Sequence, residues 1–337
     1  MRVAAYQSDG MIHIENRAVP QIGPGEILLR VKVCGLCGTD LLKLQKKSSK
    51  PGTVLGHEVA GVVAQIGSGV QNFREGDRVV VAHHVPCYSC HYCRHENFSM
   101  CRHFRQTNLD PGGFAEFLRI PAEHVQKTTL KIPDHLSFEE ASFTEPLACC
   151  ARAVRRSRLL EGDSVLIIGL GSIGLTLVQL FSLEKMRIFV ADLIPERVQL
   201  AKTFGAESFD SSKSPFEDRG FDMILMTGGT YQFLSKTLPW IREGGKIHLF
   251  SSLIDDGKEV PLSSLDLNQI YHRELELIAT YSSSPEDLQE AFQILSEKKI
   301  NVQPLIEARF ELEDISKAID QMRSKKILKA LIYMNDA

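Results

Sequence analysis

Residues 164–174 read Ser164-Val165-Leu166-Ile167-Ile168-Gly169-Leu170-Gly171-Ser172-Ile173-Gly174. The unbroken apolarity of Ser164 to Ile168 predicts a strand buried on both faces. The spacing Gly169-x-Gly171-x-x-Gly174 follows that strand and opens a helical segment, Ile173 to Leu183. Alone, such spacing is weak. Between a strand and a helix it is a dinucleotide fingerprint. Gly169 allows the tight turn, Gly171 removes a Cβ from the path of a pyrophosphate, and Gly174 lets helix and strand pack closely. The helix N-terminus, with Ser172 and Ile173 in its first turn, offers backbone donors to phosphate.

The pattern extends outward from there. Arg187 to Ala191 reads as the second strand, and Asp192 ends it, 18 residues past Gly174. A carboxylate there accepts from the two ribose hydroxyls of NAD and repels a 2′-phosphate. Leu193 and Ile194 add no cation, and Arg197 is the nearest one, so NAD is expected over NADP. Pro195 to Phe204 reads as a helix with Pro near its start. Phe221–Met226, Lys246–Phe250 and Leu275–Ala279 continue the strands. This alternation predicts an α/β fold, a doubly wound parallel sheet, over residues 151–289.

The flanking residues, 1–150 and 290–337, read differently. Glu26–Val33, Val59–Ile66 and Arg78–Ala82 are strand candidates punctuated by Gly and Pro. No helix–strand alternation appears, so an irregular, barrel-like β domain is expected. Ser137 and Glu140 form a capping box for a helix through Ala141 and Phe143. Arg152 to Arg158 carries four arginines and is expected to face solvent. Ser284-Pro285-Glu286-Asp287 starts a helix running to about Glu297. Ile315, Ala318, Ile319 and Met322 line one face of a last helix, read as core packing, and Lys329 to Tyr333 is a final strand.

The chain has 337 residues, 39 basic and 42 acidic. No long basic stripe appears, so no nucleic-acid partner is expected. Lys43 to Lys50 is locally basic and reads as a solvated loop. No apolar stretch reaches the ~18 residues of a membrane helix, and the first residues carry no secretory h-region. No membrane partner and a reducing, cytoplasmic setting are the expectation, in which the eight cysteines are ligands or free thiols. Four of them, Cys87, Cys90, Cys93 and Cys101, form the run Cys-x2-Cys-x2-Cys-x7-Cys. Four thiolates hold one zinc tetrahedrally with no open position. A disulfide knot is the alternative.

A second donor set is less compact. Cys34-Gly-Leu-Cys37-Gly-Thr39-Asp40 precedes Gly56-His57-Glu58-Val-Ala-Gly61. Thiolate, imidazole and carboxylate are all zinc ligands. With the glycine loop they suggest redox chemistry at a Lewis-acid metal. Here the chain resembles the zinc-dependent medium-chain alcohol dehydrogenase superfamily over essentially its whole length. The GHExxG segment, the Gly76-Asp77-Arg78-Val79 turn, the four-cysteine lobe and the GxGxxG loop fall in the family's order.

The resemblance implies a GroES-like catalytic domain (1–150 and 290–337) with a structural zinc lobe at 86–103, and a Rossmann NAD domain. It implies two zinc ions per subunit. Cys37 and His57 match the catalytic zinc ligands, and Glu58 is the family's adjacent carboxylate, a direct or exchangeable ligand. Cys34 is structural. Thr144-Glu145-Pro146-Leu147-Ala148 resembles the polyol (sorbitol) and threonine dehydrogenase branches, which makes Glu145 a ligand or zinc-water partner, with Cys149 and Cys150 as rivals. Thr39 matches the hydroxyl residue that hydrogen-bonds the substrate oxygen and relays its proton. A histidine that finishes this relay in many relatives is replaced here by Leu42, and Lys43 beside it is expected to point elsewhere. His83 and His84 read as structural, with a place at the border of the pocket as the alternative, and His95 and His103 read as non-ligands near the lobe.

The implied activity is hydride transfer to NAD from a secondary alcohol: a polyol, sugar alcohol, sugar phosphate or threonine-like compound. A small-molecule alcohol substrate and a homodimer or homotetramer follow from the same resemblance. Two other readings stand beside it. One is a catalytically altered NAD-binding regulatory protein, supported by Leu42. The other is a zinc-free NADP-dependent reductase of the same superfamily, opposed by Cys37, His57 and Asp192.

Overall fold

The computed structural model describes residues 1–210, 220–229, 231–251 and 266–334. They form two compact units, Met1–Ala148 with Ser283–Ala337, and Cys149–Ser282.

In the second unit the strands Ser164–Ile168, Arg187–Ala191, Glu207–Ser208, Phe221–Met226, Ile241–Leu249 and Glu276–Ala279 make one sheet. Every pairing is parallel, and in chain order the strands lie 3-2-1-4-5-6. That is the doubly wound order, whose topological switch falls beside the first strand. Ser164–Ile168 is buried throughout, as an interior parallel strand requires. The helix Ser172–Leu183 covers it and buries Gly174 to Phe181. Leu166, Phe189, Phe221, Ile224 and Ile247 join in one core.

One expectation fails in this unit. Arg152 does not face solvent: it is 3% exposed. Its guanidinium donates to the carbonyl of Tyr281 at 3.0 Å, so its charge is carried inward on a satisfied donor. Arg155, on the helix Thr144–Ser157, and Arg158, just past its end, are exposed.

The first unit is built on a seven-stranded sheet. Its central strand, Ile27–Gly35, pairs antiparallel with Glu58–Ile66, Phe117–Ile120 and Lys329–Tyr333. Arg78–Val81 pairs with Glu58–Ile66, and Thr129–Lys131 extends that edge. Val31, Cys34, Val59, Val79 and Phe114 meet in its core. The last helix, Ile315–Arg323, adds Ile315, Ala318 and Ile319 to the same core, so that stripe is packing.

Two strand registers bring distant segments of this unit together. Gly35 lies opposite Glu58, and Leu331 lies opposite Gly35. The residues just past one strand, just before the next and at the start of the last therefore converge. The capping boxes at Ser137–Glu140 and Ser284–Asp287 are both formed. The basic stretch is not a loop from its start: Gly38–Gln45 is a helix capped by Cys37.

Candidate active site

The register brings Cys37, His57 and Glu58 together, with one donor atom from each within 4.8 Å of the others. Cys37 is the N-cap of the helix Gly38–Gln45, and its sulfur accepts from the backbone N–H of Thr39 at 3.4 Å. Asp40 completes the cap by accepting from the backbone N–H of Cys37 at 3.1 Å. Its other oxygen lies 3.5 Å from Nδ1 of His57. Asp40 thus orients a histidine that offers its second nitrogen to the cluster, the arrangement that fixes metal-ligating imidazoles. Burial opposes ionisation of Asp40, and His57 and the Cys37 N–H outweigh it, holding the carboxyl below its usual range. Burial likewise disfavours a charged His57, but Asp40 and Cys37 outweigh it and raise its pKa well above the ordinary value. The pocket of anionic groups calls for a cation.

Glu58 is 1% exposed, and one oxygen takes an ion pair from the equally buried Lys329. Its other oxygen has no hydrogen-bond partner among the described residues. A Cβ on Gly35 would fall 1.9 Å from the paired oxygen, so glycine there is what admits the Glu58–Lys329 pair. Lys329 is held above its usual pKa, burial being outweighed first by Glu58.

Glu145 lies in the first turn of the helix Thr144–Ser157 and outside the 4.8 Å set. Its Oε1 is 3.9 Å from Nδ1 of His83. Burial pushes the Glu145 carboxyl up to about 7, against a lowering by His57. His83 stands over His57 with ring centroids 4.7 Å apart. Burial, then the charges of His84 and His57, lower its pKa well below the ordinary value, and its Nδ1 has no hydrogen-bond partner among the described residues. Thr39 is exposed on the helix that Cys37 caps, and Leu42 is half-buried on it. Cys34 is buried away from the set, its thiol pushed well up by burial. Cys149 and Cys150 do not join it.

These donors fit a zinc ion: a thiolate, an oriented imidazole and a carboxylate oxygen with no other partner. His57, alone of the three, borders a cavity of about 130 Å³ that is also lined by His83, Lys43, Ser48, Ser49 and Asn108. Lys43 therefore does not point elsewhere, as the sequence suggested. The helical turn sets it on the cavity wall. Asp40, Lys43 and Lys329 are the site residues that sequence reasoning did not place; His83, read first as structural, lines the cavity, which was its alternative reading. Asp40 carried a signal, a carboxylate three residues after a capping position.

The four lobe cysteines cluster separately. Three of their sulfur pairs lie 3.9, 3.5 and 3.6 Å apart. A disulfide would need ~2.05 Å. A tetrahedron with Zn–S bonds of ~2.3 Å has edges near ~3.8 Å, which matches. His103 pairs with Glu123 at 2.6 Å, and His95 stacks on His91.

In the second unit the glycine loop has the expected form. Gly169 sits at φ +93°, in the left-handed region. A Cβ on Gly174 would fall 2.0 Å from the carbonyl oxygen of Gly169, so strand and helix are in contact there. A Cβ on Gly171 would meet nothing within 4 Å. No neighbour in the chain demands glycine at that position, which suits a space reserved for a ligand. Asp192 accepts from the N–H of Leu170 at 2.5 Å and of Ile194 at 2.8 Å. Two of its four lone-pair positions are thereby used and two remain. Arg197 lies half-buried on the helix Pro195–Thr203.

Fold and site define a nicotinamide-linked, zinc-associated oxidoreductase. The alcohol dehydrogenase GroES-like domain family matches residues 23–134, and the zinc-binding dehydrogenase family matches residues 172–297. The chain belongs to the zinc-binding medium-chain dehydrogenase/reductase superfamily. It is 29% identical to the D-arabitol-phosphate dehydrogenase of Enterococcus avium, over 94% of this chain and 92% of that one. It is 28% identical to the sorbitol dehydrogenase of Bacillus subtilis, over 99% and 98%. An alcohol dehydrogenase of Escherichia coli CFT073 complexed with NADH superimposes with a TM-score of 0.85 at 25% identity, covering 99% of each chain.

Proposed function

We propose that the protein oxidises a secondary alcohol of a polyol-type substrate, with NAD as hydride acceptor and zinc held by Cys37, His57, Glu58 and Glu145. The observation that carries this reading is the Gly35–Glu58 register. It gathers three donors of different chemistry within 4.8 Å, in a chain that also carries the glycine loop on a 3-2-1-4-5-6 sheet. Zinc bound there supplies a Lewis acid that lowers the pKa of a substrate hydroxyl.

The chain's own groups do the rest. Asp40 fixes the His57 ring. Lys329 holds one Glu58 oxygen and leaves the other for exchange. Glu145, near neutral pKa by burial, sits beside His83 to complete the donor set. Thr39 Oγ1 accepts a hydrogen bond from the substrate hydroxyl and, as it takes that proton, gives its own to the ribose hydroxyls of the nicotinamide nucleotide and so to water. Asp192 offers its two remaining lone-pair positions to the ribose hydroxyl pair and disfavours a 2′-phosphate. Cys87, Cys90, Cys93 and Cys101 hold a second, structural zinc. A homodimer or homotetramer is part of the reading: the edge strand Glu276–Ala279 leaves Leu277 51% exposed, with Tyr281 65% exposed just beyond it, and exposed apolar edges favour pairing with another chain.

The test is reduction of NAD by the zinc-loaded protein with a panel of polyols, sugar alcohols, polyol phosphates and L-threonine. Turnover with at least one class is expected. No turnover across the panel, with two zinc ions bound per chain, overturns the reading. Asp192→Ala should lower the NAD-over-NADP preference by roughly 10- to 100-fold, the loss of a charged hydrogen-bonding partner. An unchanged preference would remove Asp192 as the determinant.

A further inference from the structure

The stretch Lys43 to Lys50 is not explained by the activity proposed above. It carries four lysines, Lys43, Lys46, Lys47 and Lys50. Ion pairs are common elsewhere on this unit's surface, yet none of these four has one among the described residues. The stretch also sends Lys43, Ser48 and Ser49 into the wall of the cavity that holds His57.

The polar groups on that wall are largely unengaged. The Lys43 ammonium and the Ser49 hydroxyl have no partner among the described residues. Asn108 Oδ1 accepts from the N–H of Leu109 at 2.9 Å, which leaves its amide Nδ2 to donate. Ser48 is tied to the carbonyl of Lys43 by its backbone N–H at 3.1 Å, and that turn fixes where Ser49 stands. None of the described residues lining the cavity carries a carboxylate. Lys43, Ser49 and Asn108 put one cation and two neutral donors among the lining residues; the Asp40 carboxylate beside His57 feels the Lys43 charge without pairing with it. A volume of about 130 Å³, at roughly 10–15 Å³ per water on this measure, holds roughly ten non-hydrogen atoms, enough for a phosphate and the adjoining carbons of a polyol chain but not for the whole of one.

We infer that Lys43, Ser49 and Asn108 form a subsite for the phosphate of a phosphorylated polyol, whose carbinol end lies toward His57. This rests on the dehydrogenase reading above and narrows its substrate class to phosphate monoesters of sugar alcohols. A neutral polyol has no group that requires an unpaired ammonium. A phosphate monoester carries about −1.5 to −2 charges and three strong acceptor oxygens. Lys43 meets the charge as a point cation, and Ser49 and Asn108 meet the remaining oxygens.

The test compares D-arabitol phosphate with D-arabitol, and sorbitol phosphate with sorbitol, on the zinc-loaded full chain. The esters should exceed their parents at least ~10-fold in kcat/KM, the scale of a charged hydrogen bond. Lys43→Met should raise KM for the ester roughly 10- to 100-fold with kcat changed less than about threefold, collapsing that preference. Lys43→Arg should restore most of it. Asn108→Ala should act in the same direction and more weakly. Inorganic phosphate should compete with the ester, and its affinity, measured by calorimetry, should fall about tenfold in Lys43→Met. Equal or better use of the parent polyols overturns the subsite and leaves the dehydrogenase reading intact. So does a preference for L-threonine that Lys43→Met weakens, which would assign the cation to a carboxylate. Equal loss on esters and parents in Lys43→Met also overturns it. Failure to oxidise any alcohol removes the parent reading, and the calorimetric comparison then judges the phosphate site by itself.

Discussion

Lys329 and Glu58 are separated by 271 residues in sequence and are both within 2% of full burial. A buried pair of this kind is weak as a source of stability, because each ion loses its hydration. Breaking it is another matter, since the survivor is left charged in an apolar setting. Lys329→Met should destabilise the protein by about 3–5 kcal/mol. The double variant Lys329→Met/Glu58→Gln should recover most of that loss, because the stranded charge is gone. Thermal or urea unfolding of the zinc-loaded proteins measures both. A double variant no more stable than Lys329→Met would show that Lys329 acts through packing and not through charge. The same pair explains why Glu58 can approach a metal without being committed to it: one oxygen is held by a cation and the other has no partner among the described residues.

At the scale of elements, the strand Ile241–Leu249 carries a second buried ionisable group. His248 is fully buried, and its Nε2 meets Thr280 Oγ1 at 2.8 Å. Burial, with the charge of Arg156, pulls its pKa down to about 4 from 6.5. A histidine depressed in the folded state binds fewer protons folded than unfolded between those values. Stability is then complete above the unfolded pKa and falls as pH drops toward the folded one. The contribution amounts to about 3 kcal/mol, lost between roughly pH 6.5 and 4. His248→Gln should flatten that part of the stability profile relative to the zinc-loaded parent, followed by urea unfolding at stepped pH. An identical slope in the variant would assign the acid sensitivity elsewhere. The elements were also where the sequence was easiest to read. The unbroken run Ser164–Ile168, the glycine spacing, the two capping boxes and the strand Lys329–Tyr333 are local patterns, each set by a few adjacent residues. Cys37, His57 and Glu58 were legible because thiolate, imidazole and carboxylate flank strand candidates. Lys329 was not, because a lysine opening a strand looks the same whether it faces water or a glutamate 271 residues away. Arg152 was misread for a related reason: its spacing matches its exposed neighbours, and acceptors distant in sequence, the carbonyls of Tyr281 and Ser282 among them, make its burial tolerable. His83 and Lys43 needed the fold itself, since neither sits at a ligand spacing.

Two donor sets among the described residues are assembled in opposite ways, and metal removal should separate them. The four lobe cysteines lie between Cys87 and Cys101 and close on themselves. Their segment has little else to hold it: its core consists of Cys93, Cys101 and Phe104, with Cys87, Cys90 and Phe98 packed around them. So small a cluster cannot stay folded by apolar burial, and a closed four-thiolate site supplies what is missing. The set of Cys37, His57 and Glu58 is instead built by strand pairing beside a large apolar core, whose burial does not depend on a metal ligand. A chelator should therefore remove one zinc equivalent first, abolish turnover and leave the far-ultraviolet circular dichroism unchanged. Cys37→Ser should reproduce that state, with one zinc left per chain. Cys93→Ser should lose the other equivalent and lower the unfolding temperature by about 5 °C or more, given a few degrees per kcal/mol for a unit of this size. Metal analysis paired with thermal unfolding distinguishes the two. If Cys93→Ser leaves the unfolding temperature unchanged while one zinc equivalent is lost, the lobe metal does not brace the fold, and the four thiolates need another explanation.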